Sequence, residues 1–184
     1  MLPRNIALLL ISVQRGWDEP YWGSRNNAGA EANQAALLRA FRGGGLLVVH
    51  VRHDARDPGS PLYPEEPGNA FKAEALPLPG EPVVAKHGHC AFQHTELEAT
   101  LRSHGIDRLA IAGFTTNHGV SSTARTACEL GFRTVVLRDA CVAFDLDDVD
   151  GNRLPAQTLH DVGLAELHAE FAMVLPTEAI LQLL

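Results

Sequence analysis

Cysteine is scarce in this sequence and odd in number: only Cys90, Cys128 and Cys141 are present, and they lie far apart. A disulfide framework needs an even, patterned set and a zinc finger needs ligands paired at short spacing, so neither is expected. The thiols are read as reduced. Basic charge is also in short supply, with 15 Lys and Arg against 22 Asp and Glu and a formal net charge of −7. The positive residues are scattered, which leaves no stripe to follow a nucleic-acid backbone. Long apolar runs are missing as well. The stretch Ile6 to Val13 is too short to span a bilayer, and neither a basic leader nor a small-residue cleavage site accompanies it. No membrane partner, a cytoplasmic location and a small-molecule substrate or ligand are therefore expected.

What remains is an ordinary globular composition, 46% hydrophobic and 20% charged. A chain of 184 residues is long enough to cover a sheet on both faces, and one domain over 1–184 is expected. Apolar runs predict strands over Ile6 to Val13, Leu46 to Val51, Val83 to Ala85, Leu109 to Ala112, Arg133 to Arg138 and Ala172 to Leu175. Helices are predicted from Ala28 to Arg42, where Leu37, Leu38 and Phe41 share a face before Gly43-Gly-Gly45, and from Ala156 to Phe171. A capping box, Thr95 to Glu98, predicts another helix to His104, and Pro176 and Thr177 start a short last one. Residues 53–82 hold seven prolines and are expected to wrap as a long loop. The alternation implies a three-layer α/β/α sandwich around a parallel sheet of about six strands. No repeat interrupts it. Ser12, His53, Lys86, Gly119 and Asp139 would then fall at the carboxyl ends of strands, with Arg138 and Asp139 paired structurally near the edge.

The most informative segment is Gly113-Phe-Thr-Thr-Asn-His-Gly-Val-Ser-Ser-Thr-Ala-Arg-Thr-Ala127, where a buried strand turns into a helix ended near Gly131. Such junctions aim backbone NH groups and a helix dipole into the crevice at the strand ends. The segment resembles the catalytic loop of the isochorismatase-like, or cysteine hydrolase, family. Three further blocks are similar to that family: Ala7 to Gln14, then Val83-Val-Ala-Lys86 with Cys90-Ala-Phe92, Thr95 and Leu97, and last Asp139 to Asp145 with Leu167 to Phe171.

The resemblance implies the fold above, a Cys nucleophile, a Lys, and an Asp at the end of the first strand. Lys86 stands at the lysine position, whereas Ser12 and Gly119 stand where the Asp and the Cys are implied. Glycine has no side chain to form a thioester and an alcohol is no substitute for a carboxylate base, so the inherited amidase route is closed. The resemblance also implies a cis peptide before Thr115, an oxyanion hole from the NH groups of Thr115 and Gly119, and a homodimer or homotetramer. Cys90, or a histidine among His87, His89 and His118, is a candidate nucleophile or base, with Lys86 holding negative charge on the substrate. The alternative for Cys90 is a filler where relatives carry a small residue. Thr116, Gln14, Trp17, Tyr21, Trp22 and Phe92 complete the expected pocket. His87, His89 and His94 are close in sequence, yet the second strand end reads Arg52-His-Asp-Ala-Arg56, a poor ligand set. No metal and no cofactor are expected. Two functions stay open: a hydrolase of a small amide or related carbonyl compound with an altered triad, and a pseudoenzyme that binds a ligand or partner subunit.

Overall fold

The computed structural model describes residues 4–183; residues 1–3 and 184 of the expected 1–184 domain lie outside the described residues. In chain order the elements are β1 (Ile6–Ile11), α1 (Ala30–Gly43), β2 (Leu47–His53), β3 (Val83–Lys86), α2 (Leu97–Ser103), β4 (Arg108–Phe114), α3 (Ser121–Glu129) and β5 (Arg133–Val142). They continue with β6 (Leu146–Asp147), β7 (Arg153–Leu154), α4 (Ala156–Glu170), β8 (Met173–Leu175) and α5 (Thr177–Leu181). Six strands form one sheet in the order β3-β2-β1-β4-β5-β8, every neighbouring pair parallel. The expected architecture is the one observed.

Alternation along β1 shows how the layers arise. Ala7, Leu9 and Ile11 point into a core shared with Leu97 and Leu101 of α2, Ala124 and Ala127 of α3, and Leu164 and Leu167 of α4. Ile6, Leu8 and Leu10 point into the opposite core, built with Leu37, Leu38 and Phe41 of α1 and Ile180 of α5. A strand buried on both faces reads as an unbroken apolar run because both of its side-chain rows face helices. Each fully buried Leu or Ile contributes roughly 1.5–3 kcal/mol by leaving water.

Besides shifts in strand ends, with β5 running on to Val142 and β1 stopping at Ile11, the structure departs from the expected elements at three points. The segment after β5 forms a small antiparallel hairpin, β6 with β7, that was not expected. Two-residue strands carry no periodicity, although Asp150-Gly151, where Gly151 has φ +83°, is a turn signal of the kind that closes such hairpins. The capping box is not made: Thr95 Oγ1 accepts from the Leu97 amide, and Glu98 faces Arg102 at 3.5 Å. Asp139 does not pair with Arg138. Its carboxylate accepts from the amide and hydroxyl of Thr177, both at 2.7 Å, and so caps α5.

Close backbone approaches set the site end of the sheet. Gly113 pairs with Ile11 across β1 and β4 at φ +130°, and a Cβ there would lie 2.1 Å from the Ile11 carbonyl oxygen. The long loop after β2 folds back so tightly that a Cβ on Gly68 would lie 2.3 Å from the Pro61 carbonyl oxygen and 2.8 Å from Gly16 Cα. Gly113→Ala is expected to cost roughly 2–5 kcal/mol through backbone strain and forced separation of the two central strands. A lowered denaturation midpoint in urea is the measurement; an unchanged midpoint would show that the strands separate freely.

Candidate functional site

The order of the sheet reverses at β1, whose neighbours β2 and β4 lead to opposite sides, and this is where open α/β sheets leave a crevice beyond the strand ends. A cavity of about 600 Å³ occupies that crevice. Its floor holds Ser12, His53, Lys86 and the turn from Thr115 to Gly119, which come from the exits of β1, β2, β3 and β4.

Ser12 follows β1 directly and adopts φ +52°, a left-handed conformation uncommon outside glycine, asparagine and aspartate. Its amide donates to Val51 O at 2.7 Å, and its carbonyl accepts from the Gln14 amide and from Trp17 Nε1. Held in this way, Ser12 is part of the cavity lining. Ser12 is 1% exposed, and its Oγ has no hydrogen-bond partner among the described residues.

Lys86 ends β3 and is 3% exposed. Its Nζ donates to Gly88 O at 2.9 Å and lies 3.2 Å from His53 Nδ1. Burial lowers the lysine pKa to about 8, with the Cys90 thiol opposing the shift. His53 falls to about 4 through burial and the charges of Lys86 and His89, so its ring is neutral at pH 7. An ammonium only donates, so Nδ1 accepts and the proton sits on Nε2.

Gln14, expected in the pocket, is fully buried beneath it. Its side-chain amide donates to His53 O and Asn69 O and accepts from the His53 amide, fastening the exits of β1 and β2 to the long loop. Every polar atom of that side chain is occupied, which removes Gln14 from ligand contact. Thr116 is likewise turned away, with Oγ1 2.8 Å from His160 Nδ1 on α4. Phe92 stacks on Phe132 at 5.7 Å and packs against the core on the α2 side. Cys90 directs its thiol to Thr126 Oγ1 of α3 at 3.3 Å and is not part of the cavity lining. Hydrogen bonds claim Gln14, Thr116 and Cys90, and apolar packing claims Phe92, although sequence position alone had aimed all four at the site.

Of the other expected residues only His87 stays outside the cavity lining, its Nδ1 2.9 Å from Asp54 O; the rest converge. The Phe114–Thr115 peptide is cis, as the resemblance implied. Beyond it a wide turn, Thr116–Val120, leads into α3. His118 Nδ1 lies 3.2 Å from Thr115 Oγ1, and the His118 ring stacks on His89 at 5.4 Å between centroids. Burial and the neighbouring His89 lower the pKa of His118. Trp17, Tyr21 and Trp22 line the mouth; Trp17 stacks on Phe114 at 5.8 Å and on Phe144 at 5.7 Å. Both indole NH groups are spent on backbone carbonyls of Ser12 and Gly16, so the rings present apolar faces.

His53, Asn117, Phe144 and Arg153 also line the cavity, and none was assigned a role from sequence. Arg153 sits on the hairpin rim, held by Asp147 at 3.0 Å. The Asn117 side-chain oxygen is buried without a partner among the described residues. At Gly119 a Cβ would stand 3.1 Å from Phe114 O and 3.3 Å from Ile11 Cγ2, so a larger residue fits there after a shift of a few tenths of an ångström. Among the described residues no group of three or more His, Cys, Asp or Glu is placed to hold a metal, and no helix is long and apolar enough to cross a membrane.

Comparison with known proteins agrees with this geometry. The isochorismatase domain family matches residues 6–179. The uncharacterized isochorismatase family protein YrdC of Bacillus subtilis is 36% identical over 175 residues, covering 95% of this chain and 94% of its own. Streptothricin hydrolase of Streptomyces noursei is 35% identical over 140 residues, 76% of this chain and 50% of that one. A crystal structure of a hydrolase of the isochorismatase family from Chromobacterium violaceum superposes with a TM-score of 0.94 at 42% identity, covering 99% of this chain and 94% of the other. A sheet order that opens its crevice between β1 and β4, and a family match running through both strands and the turn between β4 and α3, place the chain in the isochorismatase family.

Proposed function

We infer that this isochorismatase-family, hydrolase-like chain acts on a small amide or related carbonyl compound with an altered triad, in which Ser12 and Gly119 occupy the Asp and Cys positions and Lys86 alone is kept. The observation that carries the reading is a buried, cationic Lys86 facing the same cavity as the Thr115–Gly119 turn. Lys86 holds negative charge on the substrate, and the backbone amides of Thr115 and Gly119 receive the developing oxyanion. With no side chain at 119, attack falls to water. The cavity offers His118, steadied by Thr115 and stacked on His89, as a neutral base at pH 7. The apolar walls seat the substrate body and exclude bulk water. The similarity to streptothricin hydrolase supports hydrolysis as the reaction class. A homodimer or homotetramer is the proposed assembly and the cytoplasm the proposed location.

A second reading rests on the side chain that Gly119 lacks: the pocket binds its ligand without turning it over, and the chain is a pseudoenzyme. The two are separated by assaying a panel of small amides against the unaltered protein and against the double variant Ser12→Asp with Gly119→Cys. The hydrolase reading expects turnover by the unaltered protein that falls at least ~10²-fold in Lys86→Ala, of the order of one lost charge-stabilising group. Turnover confined to the double variant would establish the binding reading instead.

The pH dependence follows from the two shifted groups. His118 works as a free base, so kcat/KM rises as pH climbs through a value below 6.5. Lys86 works as an ammonium, so kcat/KM falls as pH passes about 8. Lys86→Arg is expected to remove the alkaline limb; a limb that stays at the same pH belongs to another group. Cys90→Ser is expected to leave kcat/KM within about twofold, because the thiol faces Thr126, and a loss of ~10²-fold or more would return Cys90 to the mechanism.

A further inference from the structure

The charges around the cavity do not balance at its floor. Lys86 is buried, and both groups within reach of its Nζ, Gly88 O and His53 Nδ1, are neutral. The carboxylates of this end of the sheet are engaged elsewhere. Asp54 is held by Arg52 and Asn69, Asp145 accepts from the Ala156 amide at the start of α4, and Asp147 holds Arg153 at the rim. Among the described residues no carboxylate lies within 4.0 Å of the Lys86 ammonium. Buried cations are ordinarily paired, because burial removes their water without replacing it.

Two residues of the same lining carry buried polar atoms that lack partners among the described residues. They are Ser12 Oγ and Asn117 Oδ1, each buried and without a hydrogen-bond partner among the described residues. Buried polar atoms of this kind are rare in native proteins and each calls for an explanation, and of the five among the described residues these two belong to residues that line the cavity. A hydroxyl offers a proton and a side-chain carbonyl asks for one. The walls between them are the apolar faces of Trp17, Trp22, Phe114 and Phe144.

We propose that the ligand of this cavity is a small carboxylate with an apolar body, whose carboxylate bonds the Lys86 ammonium and the Ser12 hydroxyl and supplies the anion that the protein itself lacks there. An N–H or O–H on the same ligand meets Asn117 Oδ1. This deepens the reading of the cavity as a small-molecule site and rests on it. The lowered pKa of Lys86 accords with the arrangement, since a bound anion restores what burial removes.

The test is equilibrium binding to the full chain by calorimetry at pH 7, comparing benzoate with acetophenone, a neutral ketone of similar outline that a hydrolase does not cleave. Benzoate is expected to bind at least ~10-fold tighter, the scale of one charge-assisted contact in a dry site. Its affinity is expected to decline above about pH 8 as Lys86 loses its proton. Lys86→Met should erase the preference. Ser12→Asp should erase it too, because the chain then carries its own carboxylate at that point, and aspartate tolerates the left-handed backbone of position 12. Thermal melts of both variants check that the fold is kept. Equal affinity for the two probes, or a benzoate preference that survives Lys86→Met, overturns the proposal while leaving the cavity a ligand site. Failure of both probes to bind removes the cavity reading and the proposal together.

Discussion

The contact on which the rest of this molecule depends is the pairing of Ile11 with Gly113 at the carboxyl ends of β1 and β4. The two backbones come so close that only a residue without Cβ is accommodated at 113. That approach brings the turn after β1 beside the turn after β4, so that Ser12 and the Thr115–Gly119 segment share one crevice. Because β2 and β3 lie on the other side of β1 and run parallel to it, His53 and Lys86 enter the same space from the opposite half of the sheet. The cavity is thus a consequence of strand order, and its contents are whatever the exits of four parallel strands carry.

Burial then gives these residues their chemistry. Lysine and histidine in water would both titrate in their usual ranges; packed against Gly88 and His53, Lys86 falls to about 8, and His53 falls to about 4. Desolvation is the larger cause in both, and mutual repulsion adds to it for the histidine. The aromatic walls reinforce this by committing their NH groups to the backbone and leaving only ring faces toward the cavity. An ammonium in such surroundings is a stronger anion receptor than one at the surface, because little water competes for it.

Most of the fold was legible in the sequence. β1, β2 and β4 are largely buried on both faces and so appear as apolar runs, and β5 shows one in Val135-Val-Leu137; α1 is marked by Leu37, Leu38 and Phe41 and ended by glycines. The seven prolines of residues 53–82 announced a loop. What that loop does was not legible, because Gln14 and Asn69 meet across 55 positions of sequence and their hydrogen bonds leave no local trace. The site was legible in part. Ser12, His53, Lys86 and Gly119, which the sequence puts at strand ends, line one cavity with His89, Thr115 and His118, whereas Asp139, put there with them, binds Thr177, and Cys90, Thr116, Gln14 and Phe92 turn to Thr126, His160, the long loop and the core. A shift of one or two residues at a strand exit reverses the direction of a side chain, and sequence proximity does not register it. The hairpin that brings Arg153 to the rim was invisible for a different reason, since two residues cannot establish a period.

By itself the sequence determined the layers, the parallel sheet and the set of strand ends from which a site had to be drawn, because hydrophobic period and glycine or proline punctuation act locally. It also determined that position 119 has no side chain and position 12 no carboxylate. Only the tertiary structure decided which of the nearby residues line the cavity, which are consumed by hydrogen bonds within the protein, and that among the described residues Lys86 has no carboxylate partner and Ser12 Oγ no hydrogen-bond partner. Partners far apart in the chain satisfy or abandon a buried polar atom, and that outcome exists only once the chain has packed.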